Sequence, residues 1–432
     1  MDNDVDVLII GGGLSGLTVA AALAAKGREV GIVEVSNHIG GSAALSGGYV
    51  WTSPDLESFL REDPQGDGDK FLAMSAEFKG AMEDIRARGL EVGPDLRGVL
   101  GFGEGNQVDI IGYMASCRRQ VERSGWMLFA HEVSTLIAEE GRVVGARIKE
   151  PTTGDESELR AGAVVLATGG FQGDPELRAH YIGEWSRDLI LRANTNSTGG
   201  GLKLGLAAGA ATSSDMTGFY GHLIPKPLNN WIPAEYTRLS QYYSEFGVLL
   251  DRDGQIISEE GLGDHVLTQD VAKVGAGLLF IDTRVWENNA RKAFISGMEP
   301  DDKVLDAQAA GGHVSTGVQL EQLVAPVANW GYDAAAVLET LRGVQSGEIG
   351  SAPRLNEPPF ALLEVQPAIT FTLGGLSSDV DGRVLDDKGA AVAGLYAAGV
   401  DAGGMNVRGY TGGLVRSIAL GRVTARAIDA EL

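Results

Sequence analysis

Gly11, Gly13 and Gly16 stand in the spacing G-x-G-x-x-G, and an acid, Glu34, follows 18 residues after Gly16. That combination suits a dinucleotide. Gly11 permits a tight turn, Gly13 lets backbone approach a pyrophosphate, and Gly16 lets a helix meet a strand. Leu14 and Ser15 complete the turn, so the first N–H groups of the following helix face phosphate. Glu34, with Val35 beside it, is at the distance from which a carboxylate bonds a ribose 2′-hydroxyl. The flanking elements have the character this chemistry needs. Asp6–Ile10 (DVLII) reads as a buried parallel strand. LTVAAALAAKG reads as a small-residue helix ended by Gly27, and REVGIVE as a second strand ending in Glu34.

The bulk composition excludes other classes. Net charge is −23 over 432 residues, which opposes binding to nucleic acid or anionic membranes. Cys117 is the single cysteine, so neither an intrachain disulfide nor a cysteine-based metal or iron–sulfur site is expected, and no metal site is predicted. Val7–Ala25 carries no charge, but the glycine triplet, Ser15 and Thr18 make a membrane span a poor reading. The acidic start MDNDVDV is unlike a signal peptide, and a cytoplasmic protein is expected.

Sixty-two glycines are about twice the usual share, and they are clustered. After Glu34 comes GGSAALSGG (40–48), in which Ser42 and Ser46 could meet phosphate or ribityl hydroxyls. AGAVVLATGGF (161–171) is a buried strand closing in a glycine pair. TGGGLKLGLAAGAAT (198–212) is a glycine turn opening a helix. GLYAAGVD (394–401) is a strand ending in Gly399 and Asp401, and RGYTGGLVRSIALGRVTAR (408–426) is a glycine turn opening the last helix. A long cofactor lying across loops from distant segments would need this distribution.

These motifs carry a family resemblance. VLIIGGGLSGL, GGSAALSGG, VVLATGGF, STGGGLKLGLAAGA, FTLGGLSSD, GLYAAGVDAGG and YTGGL resemble the FAD-dependent fumarate reductase and succinate dehydrogenase flavoprotein group, in motif style its 3-ketosteroid dehydrogenase-like members. The resemblance implies an α/β fold: a Rossmann-like, glutathione-reductase-type FAD-binding domain in two parts (1–214 and 356–432), with an inserted α+β capping and substrate domain (215–355). It also implies non-covalent FAD, because residues 40–48 contain no His. By the resemblance, FAD contacts Gly40, Gly41, Ser42, Ala43, Ser46, Gly47 and Gly48 through backbone too close for side chains. Backbone near Val133 meets the adenine. Ala167, Thr168, Gly169, Gly199, Gly375, Gly399, Asp401, Gly412, Gly413, Leu414 and Val415 supply the remaining contacts.

The implied reaction moves a hydride between flavin and a carbon next to a carbonyl, with a side-chain acid or base for the proton. The group's own catalytic positions are not matched. Phe371 stands where a His precedes the glycine turn, and Gly263, within SEEGLGDH, stands where an Arg or Tyr is expected. The candidates are therefore Arg408 and Tyr410 before the last helix, His222 in GFYGHLIP, and Asp264 with His265 as an acid-oriented pair. Tyr220, Tyr242 and Tyr243 read as packing of the capping domain, and DPQGDGD (63–69) as an exposed loop. The expected substrate is an alicyclic or steroid-like ketone, the alternative a small polycarboxylate as in fumarate reductase or tricarballylate dehydrogenase-like members. The expected partners are that small molecule and an external electron acceptor.

Overall fold

The structure is a computed structural model and describes residues 4–229, 232, 235–258, 263–293, 300–349 and 353–432. Residues 259–262 of the SEEGLGDH stretch lie outside the described residues. The chain forms two compact units, Met1–Ile182 with Ala193–Phe219 and Phe371–Leu432, and Gly183–Arg192 with Tyr220–Thr370. The sequence reading put the joins at 214/215 and 355/356. Gly183–Arg192 belongs with the second unit because Ile190 and Leu191 pair with Ala368 and Ile369.

The first unit is built on a sheet whose core is parallel. Its order is Arg383–Leu385, Ala391–Ala397, Glu156–Leu166, Asp4–Ile10, Val30–Glu34, Trp126–Phe129. Val7, Leu8, Ile9 and Val164 are fully buried, as expected of strands covered on both faces. The helix Leu14–Ala24 buries ten of its eleven residues, which its run of small side chains permits. Residues 126–149 contain three strands. Trp126–Phe129 pairs in parallel with Gly31–Glu34, and Glu132–Glu139 forms a hairpin with Arg142–Lys149. Glu140 and Gly141, both at positive φ, make the tight turn.

The second unit holds its own sheet, ordered Ile190–Leu191, Phe360–Thr372, Gly277–Ile281, Val248–Leu250, with Phe219–Pro225 and Val314–Gly317 also bonded to Phe360–Thr372. Its core is separate from that of the first unit and includes Leu223, Val271, Phe280, Phe360 and Leu362. Among the described residues no helix is long and apolar enough to cross a membrane, and no cluster of His, Cys, Asp or Glu could hold a metal.

Candidate active site

In the first unit, distant segments meet at the first glycine turn. Gly11 has φ +110°, and a Cβ there would lie 2.3 Å from the carbonyl oxygen of Ala167. A Cβ on Gly16 would lie 2.0 Å from Gly11 O, so only glycine lets this helix start so close to its strand. Gly13 differs: a Cβ would meet nothing within 4 Å, so its backbone borders open space. The helix that follows has no side-chain cap and no acid in its first turn, which leaves its positive end available to an anion. Gly13 bridges to Gly40, and the Gly40 N–H donates to Gly12 O at 3.1 Å. GGSAALSGG is thereby laid alongside the turn. Gly41–Leu45 coils into one short helical turn.

Glu34 is tied inward. Its Oε2 accepts the Gly12 N–H at 2.6 Å and its Oε1 the Ser36 N–H at 2.8 Å, which fixes a carboxylate that still has a lone pair on each oxygen. Val35 beside it is exposed. Ser42 Oγ accepts the Asn194 N–H at 3.2 Å, whereas Ser46 Oγ donates to Ala43 O at 2.7 Å and closes its own turn. Thr168 and Asp401, 233 positions apart, also meet. The Thr168 N–H and hydroxyl both donate to the Asp401 carboxyl, at 2.5 and 3.2 Å, and the Gly201 N–H donates to Thr168 Oγ1 at 2.7 Å. Burial pushes the Asp401 carboxyl up to about 7.

Gly169, Gly399 and Gly412 all take positive φ, and a Cβ on Gly375 would lie 2.6 Å from Val400 O. Gly199, also at positive φ, starts the helix Gly200–Ala207 without a side-chain cap. Gly413, Leu414 and Val415 form the first turn of the last helical run, and Val133 lies on a hairpin strand away from this turn in sequence. The donor set fits the expected FAD. It offers an uncapped helix end for the diphosphate, an open backbone at Gly13, and hydroxyl and carboxyl groups from three remote segments.

Arg408 and Tyr410 also lie in the first unit. Arg408 is exposed, and its N–H donates to Asp63 Oδ1 at 3.4 Å. Tyr410 is buried edge-on between Trp51 (5.3 Å) and Phe371 (5.8 Å), and its hydroxyl accepts the Gly413 N–H at 2.9 Å. Asp63, expected in an exposed loop, is 1% exposed and accepts from Val407 N–H and Asn406 Nδ2. It pins the stretch that leads into the last helix.

The second unit holds the titratable constellation. Tyr220 and His222 are two residues apart on the strand Phe219–Pro225, so they share a face. The Tyr220 hydroxyl lies 2.6 Å from His222 Nε2, and His222 Nδ1 is in short hydrogen-bond contact with Asp264 Oδ2. Asp264 starts the helix Asp264–Val274. His222 and Asp264 are 1% and 2% exposed, so little water screens the pair. Burial, with the charges of Arg192 and Lys303, pulls the imidazole well below its usual value and keeps it neutral. Burial pushes the Asp264 carboxyl up to about 7. Tyr242 meets the His222 ring edge-on at 4.6 Å.

The expected pair stands 4.0 Å apart, His265 Nδ1 to Asp264 Oδ1, and Asp264 also bonds His222 across 42 positions through Oδ2. Consecutive helix residues point about 100° apart. Tyr220, read as packing, is the outer member of the chain of hydrogen bonds. Its spacing to His222 was the signal that could have found it.

The FAD binding domain family model matches residues 6–82 and 103–413. A fumarate reductase (cytochrome) of Shewanella frigidimarina is 24% identical over 447 residues, covering 95% of this chain and 74% of that protein. A KsdD-like steroid dehydrogenase of Mycolicibacterium smegmatis is 26% identical over 523 residues, covering 94% and 95%. Among solved structures, the 3-ketosteroid delta1-dehydrogenase of Sterolibacterium denitrificans in complex with 1,4-androstadiene-3,17-dione matches with a TM-score of 0.77 at 17% identity, covering 100% of each chain.

Proposed function

The chain belongs to the FAD binding domain family, its cofactor is FAD, and we propose that it interconverts a CH–CH and a C=C bond beside a carbonyl with Tyr220 moving the proton. Bound FAD supplies the hydride acceptor or donor. The observation that carries the reading is the Tyr220–His222–Asp264 chain of hydrogen bonds. A free phenol, with a pKa of about 10, is a weak base and a weak acid at neutral pH. Its O–H here can pass its proton to His222 Nε2, since the neutral imidazole presents an acceptor there when Nδ1–H points to Asp264. Asp264 fixes that tautomer and stabilises the imidazolium formed as the proton arrives. The reverse transfer returns the proton through Tyr220 to carbon. Gly13 and the uncapped helix start would hold the diphosphate, with Thr168 and Asp401 toward the ribityl chain.

The rings of Tyr220 and Tyr242 against His222 suit a flat alicyclic ketone, in keeping with the name of the steroid dehydrogenase relative. FAD is bound without a covalent link, and a single buried thiol, Cys117, suits a cytoplasmic setting.

The test is anaerobic mixing of the FAD-loaded protein with saturated cyclic ketones, read as loss of the yellow absorbance. Tyr220→Phe is expected to slow bleaching by about 10²–10⁴-fold while FAD content stays that of the wild type. Bleaching at the wild-type rate in Tyr220→Phe would remove Tyr220 from the reaction.

A further inference from the structure

Arg192 is among the most deeply buried large side chains of the protein, at 2% exposure. Its Nε and Nη1 meet no hydrogen-bond acceptor among the described residues. Its guanidinium lies over the face of Tyr236, with the guanidinium carbon 4.2 Å from the ring centroid. A ring face attracts a cation but gives its N–H groups nothing to bond, and a buried guanidinium without a carboxylate is costly to keep charged. The other buried cation near the His222 pair is satisfied. Lys303 Nζ donates to Thr237 O at 2.7 Å, Arg238 O at 3.0 Å and Asp301 Oδ2 at 2.7 Å.

The backbone ties Arg192 to the proton-moving group. Arg192 N–H donates to Ile369 O at 2.8 Å, on the strand that also pairs with Phe219–Pro225. Tyr236, which covers the guanidinium, opens the short helix Tyr236–Leu239. Two residues beyond that helix, the Gln241 N–H donates to Leu223 O at 2.8 Å, beside His222. Tyr242 then meets His222. The charge on Arg192 is felt by His222, Asp264 and Tyr242 alike.

We propose that Arg192 anchors a carboxylate on the substrate whose proton Tyr220 moves, an inference that rests on the proton role given to Tyr220, His222 and Asp264. A guanidinium matches a carboxylate with two parallel N–H···O bonds, and such a group would satisfy the donors that the fold leaves open. Both a ring ketone carrying an acid group and a small unsaturated diacid meet this requirement. A neutral ketone leaves these donors unmet and should bind more weakly.

The test is calorimetric titration of the FAD-loaded full chain with two matched pairs, 3-oxocyclohex-1-ene-1-carboxylate with its carboxamide, and fumarate with fumaramide. At least one acid is expected to bind about 30-fold tighter than its amide, the size of one good charge-assisted pair. The pair that shows it identifies a ring acid or a small diacid. Arg192→Gln should bring acid and amide to within about 3-fold, and Arg192→Lys, which keeps charge without the fork, should fall between. Arg192→Met repeats the reading should the glutamine variant lose FAD. Equal binding of acids and amides to the wild type, or a preference that survives in Arg192→Gln, overturns the anchor. Tyr220→Phe separates the two readings: it should keep the acid preference while losing turnover. Full turnover with the preference intact defeats the proton role alone.

Discussion

Replacing Asp264 by Asn should change the sign of its effect on stability with pH. The carboxyl is buried at 2% exposure, and its value stands at about 7 against the usual 3.8. A carboxyl raised in the folded state holds a proton that the unfolded chain has already released. Stability therefore falls as pH rises from the unfolded value toward the folded one. Between pH 5 and pH 8 the folded carboxyl gives up this proton, and the wild type loses about 3 kcal/mol that an amide side chain does not lose. At pH 5 both side chains are neutral and hydrogen-bonded to His222, so the variant should be less stable by about 1 kcal/mol. At pH 8 it should be the more stable by about 2 kcal/mol. Melting of the FAD-loaded wild type and Asp264→Asn, followed by circular dichroism at pH 5 and pH 8, reads the crossover. A melting difference that is the same at both pH values, or that grows against the variant at pH 8, would refute the assignment of a buried, proton-holding carboxyl beside His222.

The same pair should set the pH profile. In the desaturating direction the rate should rise through about pH 7, as Asp264 ionises and Nε2 is free to take the Tyr220 proton. In the reducing direction it should fall through the same region, and in Asp264→Asn the limb should vanish; a limb unmoved by that substitution assigns it to another group. The glycine turn offers a contrast between two alanines. Gly16→Ala places a Cβ 2.0 Å from Gly11 O and should lower the melting temperature of the FAD-free chain sharply. Gly13→Ala meets no protein atom within 4 Å, so the FAD-free chain should melt with the wild type while FAD retained after gel filtration drops. FAD retention at the wild-type level in Gly13→Ala would mean that Gly13 does not border the cofactor.

The local chemistry of the first unit was legible because it is written in contiguous residues. A β-branched run, G-x-G-x-x-G, a small-residue helix and a terminal acid are all fixed by sterics within 34 positions. In the structure Gly11 and Gly16 leave no room for a Cβ, and Glu34 accepts the Gly12 N–H. The glycine clusters farther along announced close backbone approach, though not which strand each would approach. That Gly399 must spare Ser15, or that Thr168 donates to Asp401, depends on the order of strands in the sheet. Asp63 was misread for a related reason: its loop composition is polar, but tertiary contacts bury the carboxylate under Val407 and Asn406.

What the sequence by itself determined was a dinucleotide cradle and the frame that carries it, since a phosphate cradle is a local arrangement of backbone that only glycine allows. The proton-moving group needed the fold. Tyr220 and His222 share a strand face by the two-residue period, yet Asp264 reaches them only because a helix start 42 residues away packs beside that strand. Arg192 reaches the same neighbourhood from a segment that joins the second unit through two strand pairings to Ala368 and Ile369. Burial, which raises the Asp264 carboxyl and leaves Arg192 Nε and Nη1 without an acceptor among the described residues, is a property of the packed chain alone.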